Sequence, residues 1–349
     1  MDVWGNRMMD EYFLSICIPT HNRASYLEKS LKNLFDQLTQ LGDRYTKNVE
    51  ICISDNGSVD DTRLIVQNFQ RNQNIRIVYK VNPVNIGADS NFLKVVDISN
   101  GEYCWLLSDD DIAKEGSVKF LYDFLKENQN IDFALLSSDN LFEHEIYSDN
   151  SIKINSLERR IVPINSTLEG QSEIFSDLGF ISVLCFRKES WKKVVGSDKF
   201  VGSGYIHNYI LLNIIAHGGN CVHIKSPTLV NALKFHGSIT DLSKLERIYI
   251  DVYWKDAILK TTYGNDDATY RKLSNFWLKR RLKTSFAIAL TIRLNIRDRF
   301  FLILELSRIH HNKVYFYWRI YPFLFLPLGS AGKLLFLFDL NKVTRKFHR

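Results

Sequence analysis

The segment Cys104-Trp105-Leu106-Leu107-Ser108-Asp109-Asp110-Asp111 joins an apolar run directly to three consecutive carboxylates. A buried strand that ends in this way places its acids at the edge of a sheet, where open α/β folds bind their ligands. Because three adjacent aspartates repel each other, a divalent cation such as Mg2+, which prefers oxygen ligands, would relieve the repulsion. The alternative for this segment alone is an acidic turn that caps a helix predicted over residues 112–126.

Strand-like and helix-like segments alternate over the first 140 residues. Strands are predicted over residues 14–18, 49–53, 75–79, 103–107 and 133–136. Helices are predicted over residues 24–38 and from Ser58 onward, both with an apolar face, and over residues 91–98. Such alternation is typical of a Rossmann-like α/β fold, in which a mostly parallel sheet is flanked by helices.

Polar loops follow four of these strands. The loops contain Pro19-Thr20-His21-Asn22-Arg23, Ser54-Asp55-Asn56-Gly57-Ser58, residues 82–88 and the three aspartates. Because the carboxyl ends of parallel strands meet at one edge of a sheet, these groups are predicted to line one site. Asp55 and Asn56 are also common turn formers, but four polar loops on one edge favour a binding site.

Two nucleotide-binding motifs are missing from the sequence, which disfavours two classes of enzyme. No Gly-x-Gly-x-x-Gly follows a strand and no Gly-x4-Gly-Lys-Ser/Thr is present, which disfavours dinucleotide dehydrogenases and P-loop NTPases. Phosphates would instead be held by a metal on the aspartate cluster. Asp55 could accept hydrogen bonds from a base or a ribose. The predicted ligand is a nucleoside diphosphate that carries a transferable group.

Four segments, in this order, resemble the family 2 nucleotide-sugar glycosyltransferases, which have the GT-A fold. They are Ser15-Ile16-Cys17-Ile18-Pro19-Thr20-His21-Asn22-Arg23, Ile53-Ser54-Asp55-Asn56-Gly57-Ser58-Val59-Asp60-Asp61-Thr62, Asn85-Ile86-Gly87 and Leu107-Ser108-Asp109-Asp110-Asp111. Together they cover about residues 13–112. The resemblance implies a metal-dependent transfer of a sugar from a nucleotide-diphosphate donor, with Mg2+ or Mn2+ as the cofactor.

The resemblance also implies roles for individual residues. It places Asp55 at the base, Asp109 at the ribose and Asp110 on the metal. Ser108 stands where the family usually has the first acid of Asp-x-Asp-Asp, so its contact is left open. The full nucleotide-binding set is Pro19, Thr20, Asn22, Arg23, Asp55, Asn85, Ser108 and Asp109, and the metal set is Asp110, Asp111 and His236.

The middle of the chain resembles bacterial O-antigen sugar transferases of the abequosyltransferase-like group, which use CDP-activated dideoxyhexoses. The resemblance rests on residues 179–191 and on Phe200-Val201-Gly202-Ser203-Gly204-Tyr205-Ile206-His207. Asp110 and His207 are the two candidate catalytic residues. His207 is the candidate general base, because a histidine pKa lies near neutrality. Asp198 is the competing base, and a helix-capping or packed histidine is the structural alternative. His236 is either a metal or phosphate ligand or an exposed loop histidine.

The C-terminal segment combines positive charge with aromatic residues. Residues 271–349 contain 17 Lys and Arg against 3 Asp and Glu, whereas the whole chain has a net charge of +6. The uncharged run of 13 residues between Arg319 and Lys333 is too short to span a bilayer, and Pro322 and Pro327 interrupt it. These features predict a helical extension that lies on an anionic membrane surface. A helical subdomain packed on the catalytic core is the alternative, and nucleic-acid binding is disfavoured by the high apolar content.

The combined prediction is a peripheral membrane enzyme. Residues 1–112 would bind the nucleotide sugar, residues 113–240 the acceptor, and residues 241–349 would form the membrane-associating extension. The enzyme would transfer a sugar, such as a deoxyhexose, to a lipid-linked saccharide in lipopolysaccharide O-antigen or other surface polysaccharide synthesis. It would act at the cytoplasmic face of the inner membrane, since residues 1–11 lack a signal-peptide core. The alternative is a non-catalytic nucleotide-sugar-binding module.

Overall fold

A computed structural model of the chain describes residues 12–71, 74–142, 159–164, 171, 174–175, 177–234 and 244–276. The chain separates into two compact units, residues 1–238 and 239–349. The three-part division expected from the sequence stays a prediction. His236 and residues 277–349, which carry several of the sequence-based expectations, lie outside the described residues.

Four parallel strands form the first half of a sheet in the first unit. They are β1 (Tyr12–Thr20), β2 (Val49–Asp55), β3 (Arg76–Val81) and β4 (Gly101–Leu106), in the spatial order β3-β2-β1-β4. β1, β2 and β4 are almost wholly buried, which explains why their sequences are mostly apolar rather than strictly alternating. The four strands predicted in this region are confirmed.

The second half of the sheet is mixed. It adds β5 (Ile112–Ala113), β6 (Phe133–Phe142), β7 (Arg160–Pro163), β8 (Leu184–Arg187) and β9 (Cys221–Lys234). The order over the described strands is β3-β2-β1-β4-β8-β6-β9-β5, and β7 also pairs with β9. β8 runs antiparallel to both β4 and β6, whereas β6 and β9 are parallel. The sequence predicted only the start of β6 in this half.

Helices pack against the sheet in the first unit. They are α1 (Ala24–Leu41), α2 (Asp43–Thr46), α3 (Thr62–Gln70), α4 (Ala88–Asp97), α5 (Ser117–Glu127), α6 (Lys188–Lys193) and α7 (Ile206–Ala216), with 3-10 turns at Ile181–Val183 and Ser197–Phe200. α1 buries the apolar stripe Leu27, Leu31 and Leu34 that the sequence predicted. All five cysteines are free and buried.

The helix predicted from residue 112 starts later than expected. Ile112 and Ala113 instead form β5, in which Ile112 pairs with Asn231 of β9. The helix begins at Ser117, after Gly116 adopts a left-handed conformation with φ of 88°. The prediction was wrong at this boundary because pairing with a strand more than 100 residues away satisfies the backbone of residues 112–114, which a helix would otherwise do.

The described part of the second unit is helical. It contains α8 (Lys244–Tyr263) and helical residues 267–276. The Tyr270 hydroxyl donates to the Asp256 carboxylate at 3.2 Å, and the Ser274 hydroxyl donates to it at 2.8 Å, so the second segment is bonded to α8. Within the residues that the structure describes, none of the helices combines the length and the apolar composition needed to cross a bilayer.

Candidate active site

The candidate site lies at the carboxyl edge of the parallel strands. Thr20 ends β1, Asp55 ends β2, and the aspartate cluster follows β4. Thr20 and Asp55 are direct neighbours in the β1–β2 register, and the amide of Leu107 donates to the carbonyl of Cys17 in β1 at 2.9 Å. The polar loops therefore meet at one edge of the sheet, where α/β folds bind ligands.

Asn22 joins the first two loops. Its backbone lies in the left-handed region, with φ of 51°, which is costly for a residue with a side chain. The Asn22 amide donates to the Ser58 hydroxyl at 2.9 Å, and the Val59 amide donates to Asn22 Oδ1 at 2.8 Å. The Ala24 amide at the start of α1 donates to Asp60 at 2.9 Å. These bonds hold the loop after β1 against the loop after β2.

Asp55 is held in place by two donors. It is 1% exposed; its Oδ1 accepts the Ser58 amide at 2.8 Å, and its Oδ2 accepts the Tyr79 hydroxyl at 2.6 Å. Burial, and then the hydrogen bond to the Asp55 carboxylate and its charge, raise the pKa of Tyr79, so this phenol stays protonated and donates. The sequence analysis missed Tyr79; its place on β3, opposite Ile53 of β2, was the available signal.

The third polar loop, which follows β3, is fixed by asparagine side chains. Asn85 Oδ1 accepts the Asn56 side-chain amide at 2.8 Å and the Gly87 backbone amide at 2.9 Å. Asn56 Oδ1 accepts the Ile86 amide at 2.8 Å, and Asn85 Nδ2 lies 3.2 Å from the His21 ring. The predicted nucleotide-binding residue Asn85 therefore belongs to the same network as the loops after β1 and β2.

Asp109 lies beneath the edge of the sheet. It is 3% exposed, and its Oδ2 accepts the Thr20 hydroxyl at 2.7 Å. Burial, together with repulsion from Asp110, raises the pKa of Asp109 to about 6, although Arg23 and the Thr20 hydroxyl oppose the shift. Pro19, next to Thr20, is buried opposite Ser54 in the β1–β2 register. Four of the predicted nucleotide-binding residues thus lie together: Pro19, Thr20, Arg23 and Asp109.

Asp110 is more accessible than its neighbours. Its Oδ2 lies 2.5 Å from Arg23 Nη1, its Oδ1 accepts the Ser108 hydroxyl at 2.5 Å, and its side chain is 18% exposed. Arg23 Nη1 also lies 3.3 Å from Asp109 Oδ1. The guanidinium of Arg23, 41% exposed, therefore spans both carboxylates. Sequence reasoning chose these residues but did not predict this pairing.

Asp111 faces a different direction. It is 3% exposed, and its Oδ2 accepts the buried Ser182 hydroxyl, while the Ser108 amide donates to Ser182 Oγ at 2.8 Å. Its role as a metal ligand stays a prediction, as does that of His236. Among the described residues there is no group of three or more His, Cys, Asp or Glu side chains placed to hold a metal ion.

The donor chemistry at the edge nevertheless fits Mg2+ or Mn2+. Mg2+ is commonly bound by one or two carboxylates while substrate phosphates and water supply the other ligands. Asp110 provides one partly exposed carboxylate beside the ionisable Asp109. Two hard oxygen donors suffice when a diphosphate supplies the remaining ones.

His207, the candidate base, lies in the first turn of α7. It is 1% exposed and packs edge-to-face on Phe92, with ring centroids 5.5 Å apart. Asp198, the competing candidate, is exposed in the 3-10 turn that precedes this segment. The base assignment stays a prediction for both residues.

Asp89 was not predicted from the sequence, although it follows the Asn85-Ile86-Gly87 motif. Its Oδ2 accepts the Gly204 amide at 2.7 Å, and its Oδ1 accepts the Ile206 amide at 3.2 Å. Burial raises the pKa of Asp89, and these backbone donors partly offset the shift. Asp89 therefore connects the start of α4, behind the third loop, to the start of α7, which carries His207.

This fold and the carboxylates at its edge define the chain as a glycosyltransferase of the GT-A type. The family model described as Glycosyl transferase family 2 matches residues 15–172. The chain is 30% identical over 288 residues to abequosyltransferase RfbV of Salmonella typhimurium, a match that covers 79% of this chain and 84% of that protein. The chain belongs to glycosyl transferase family 2, which confirms the resemblance found in the sequence.

Other relatives match over a shorter region. The GalNAc(5)-diNAcBac-PP-undecaprenol beta-1,3-glucosyltransferase of Campylobacter jejuni is 36% identical over 109 residues, 31% of this chain and 33% of that protein. Among solved structures, S. aureus TarS 1-349 in complex with UDP-GlcNAc aligns with a TM-score of 0.61 at 16% identity, covering 85% of this chain and 82% of that chain. This likeness confirms the predicted fold class.

Proposed function

We propose that this chain is a divalent-cation-dependent glycosyltransferase that moves a sugar from a nucleoside diphosphate to a lipid-linked saccharide. The observation that carries the proposal is the meeting of Arg23, Asp55 and Asp110 at the carboxyl edge of one parallel sheet. A hydrogen-bond acceptor for a base, carboxylates for a ribose and a cation, and a guanidinium for phosphate are the groups that a nucleotide sugar needs.

Asp55 would select the base. Each of its carboxylate oxygens accepts one bond, from the Ser58 amide or the Tyr79 hydroxyl. Since a carboxylate oxygen has two lone-pair positions, an N–H group of a base can still bind. Tyr79 fixes the orientation of Asp55 in advance, and pre-organisation of this kind lowers the entropic cost of binding.

Asp109 and Asp110 would act at the sugar and diphosphate end of the donor. Asp109, held by Thr20, would accept from the ribose, and Asp110 would hold Mg2+ or Mn2+, with Asp111 as a further predicted ligand. When bound, such a cation stabilises the negative charge of the departing diphosphate. PcManGT from Pyrobaculum calidifontis, solved in complex with GDP-Man and Mn2+, shares the fold at a TM-score of 0.50 and 12% identity, covering 95% of this chain and 89% of that chain.

His207 would deprotonate the acceptor hydroxyl, with Asp198 as the alternative base. His207 lies in the first turn of α7, whose position Asp89 sets from the nucleotide side. We expect His207→Ala to slow transfer far more than it weakens donor binding. Equal losses in both would show that the histidine is structural, and the same comparison on Asp198→Asn tests the alternative.

The acceptor class is inferred from the names of relatives. One relative is an abequosyltransferase, one acts on an undecaprenol-linked saccharide by its name, and one is the minor teichoic acid biosynthesis protein GgaA of Bacillus subtilis. The basic, aromatic C-terminal segment would bring the enzyme to the cytoplasmic face of the membrane, where such acceptors lie. Removal of residues 315–349 should release the protein from membranes, and unchanged sedimentation would contradict this placement.

The proposal is tested by thermal shift with UDP, GDP, CDP and dTDP, each with and without Mn2+. A ligand that binds only the native state raises the unfolding temperature by mass action. At least one nucleotide should stabilise the protein, more strongly with Mn2+, and Asp110→Ala should remove the added effect of the metal. Asp36→Ala, an exposed acid of α1 paired with Lys32, is the matched control and should behave as wild type.

A sugar-transfer assay separates the two candidate functions. The enzyme should release the matching nucleoside diphosphate in the presence of a lipid-linked acceptor. Stabilisation by a nucleotide sugar without release on any acceptor would favour the non-catalytic binding module. Failure of every nucleotide to stabilise the protein would contradict both functions.

A further inference from the structure

The Arg23 side chain occupies the position at which Asp110 would meet a divalent cation. Arg23 Nη1 lies 2.5 Å from Asp110 Oδ2, and Asp110 Oδ1 is already bonded to the Ser108 hydroxyl. Both carboxylate oxygens therefore have a partner. A cation that approaches Oδ2 must displace the guanidinium or suffer repulsion from it.

Arg23 compensates two adjacent acids. The same Nη1 atom lies 3.3 Å from Asp109 Oδ1, in a pair of carboxylates whose repulsion contributes to the raised pKa of Asp109. Without Arg23, a divalent cation would be the natural counter-ion for two neighbouring carboxylates. With Arg23 in place, the charge of the pair is already reduced, so the protein alone attracts a metal less strongly.

The protein also supplies few metal ligands by itself. In the part of the chain that the structure describes, no cluster of three ligating side chains exists. The other ligands would come from the donor diphosphate and from water. A diphosphate brings negative charge as well as oxygen atoms, so it offers Arg23 a new partner at the moment when Asp110 gains a metal.

The position of Arg23 allows this exchange. It is the N-cap residue of α1, directly after the strained Asn22, and its side chain is 41% exposed at the edge of the sheet. A guanidinium binds two phosphate oxygens with its planar fork. The positive end of the α1 dipole lies at the same place and favours an anion there.

We propose that Arg23 acts as a resident counter-ion for Asp109 and Asp110, and that it moves to the donor diphosphate when nucleotide and metal bind together. This inference rests on the proposed function and adds an order of binding to it. Metal alone binds weakly because Arg23 competes for Asp110. Metal with nucleotide binds well because Arg23 is then needed elsewhere.

The decisive measurement is Mn2+ binding without nucleotide. The electron paramagnetic resonance signal of free Mn2+ reports how much of the ion remains unbound. Wild-type protein should bind Mn2+ weakly, and Arg23→Ala should bind it at least tenfold more tightly. Arg23→Lys keeps the positive charge and should stay within about threefold of wild type. Arg71→Ala removes an exposed arginine at the end of α3 and serves as the matched control for net charge.

Nucleotide binding should change in the opposite direction. Arg23→Ala should weaken binding of the best nucleoside diphosphate at least tenfold in the presence of Mn2+, whereas Arg71→Ala should not. Arg23→Lys should show an intermediate loss, because an ammonium lacks the planar fork. Thermal unfolding of each variant establishes that it is folded, and Arg23→Met replaces the alanine variant if that protein is unstable.

Two results would overturn the inference. One is a Mn2+ affinity of Arg23→Ala equal to that of wild type. The other is a gain in affinity that persists in the Arg23→Ala, Asp110→Asn double variant, since the metal would then bind elsewhere. If no nucleoside diphosphate stabilises the wild-type protein, the proposed function fails, but the Mn2+ measurement still decides whether Arg23 competes with a cation.

Discussion

The two ends of the parallel sheet hold carboxylates in contrasting ways. At the amino end, Glu50 of β2 is fully buried and accepts the Ser15 hydroxyl at 2.7 Å and the Asn100 amide at 2.5 Å. At the carboxyl end, Asp110 is partly exposed and its cationic partner is an arginine that is 41% exposed. The full burial of Glu50 and its bonds to Ser15 and Asn100 suit a structural role for this acid. The partly exposed Arg23 can move away from Asp110, which would make Asp110 available to a ligand.

Close packing supports this difference. A Cβ atom on Gly101, at the start of β4, would lie 2.6 Å from Ser15 Oγ and 2.7 Å from the Ser15 amide nitrogen, so the amino end admits no larger residue. The Gly101 amide also donates to Ser15 Oγ at 2.8 Å. At the carboxyl end the chain instead forms loops with a strained Asn22 and exposed Val84 and Ile86. The amino end is therefore closely packed at Gly101, and the candidate binding groups lie at the other end.

The largest effect is expected for Asp110→Asn. Removal of the charge that would hold the cation should lower the transfer rate about 1000-fold, a loss comparable with that of one strong electrostatic contact in a transition state. The free energy of unfolding should change by less than about 1 kcal/mol, because a partly exposed ion pair contributes little. Rates and urea unfolding measure both. A transfer rate of Asp110→Asn within tenfold of wild type would contradict the assignment of the binding role to the carboxyl end of the sheet.

Glu50→Ala should show the opposite pattern. Loss of the carboxylate leaves the Ser15 hydroxyl and the Asn100 amide without their acceptor, and we expect the free energy of unfolding to fall by about 3 kcal/mol. The nucleotide-induced thermal shift of the folded fraction should remain. Glu50→Gln keeps one acceptor oxygen and should cost less. A stable Glu50→Ala protein with impaired nucleotide binding would reverse the assignment of the two ends.

Asp89, a third buried acid, should make the free energy of unfolding depend on pH. Because burial raises its pKa in the folded state, the native protein binds more protons than the unfolded chain above the ordinary carboxyl pKa of 3.8. The free energy of unfolding therefore falls as pH rises from about 4 through the raised pKa. Asp89→Asn should lack this contribution, so the difference in unfolding free energy between the two proteins should change with pH in that window. Parallel pH profiles would contradict the shift.

The smallest effect is expected for Tyr79→Phe. The variant loses one hydrogen bond to Asp55, worth about 1 kcal/mol, so nucleoside diphosphate affinity should fall about fivefold. Titration calorimetry with the preferred nucleotide measures the change. Tyr26→Phe, which removes a hydroxyl from a tyrosine of α1, is the matched control. An unchanged affinity would show that the Ser58 amide alone is enough to orient Asp55.

Much of the donor half was predictable because its signals are local. Of the first four strands, β1, β2 and β4 are mostly apolar and lead into polar residues, and parallel strands of this kind present those residues together at one edge. Thr20, Asp55, Asn85 and Asp109 could therefore be placed at one site without knowledge of their contacts. The family motifs gave the same residues.

The second half was less predictable because its signals are distant. β8 has only four residues, and its insertion between β4 and β6 depends on contacts such as the bond from Trp105 Nε1 to the Ser182 carbonyl at 2.8 Å. β5 has two residues and exists only because β9 pairs with it. Neither strand has a length or a pattern that distinguishes it from a loop.

The amino-acid order is enough to identify this chain as an α/β protein with acids at the ends of its parallel strands, because apolar segments and polar loops are properties of neighbouring residues. The partner of each acid follows from the folded arrangement: Arg23 for Asp110, Tyr79 for Asp55, and Ser182 for Asp111. These partners lie between 24 and 87 residues away in the chain. Folding brings them together, and the direction of a side chain is set only when the surrounding elements have packed.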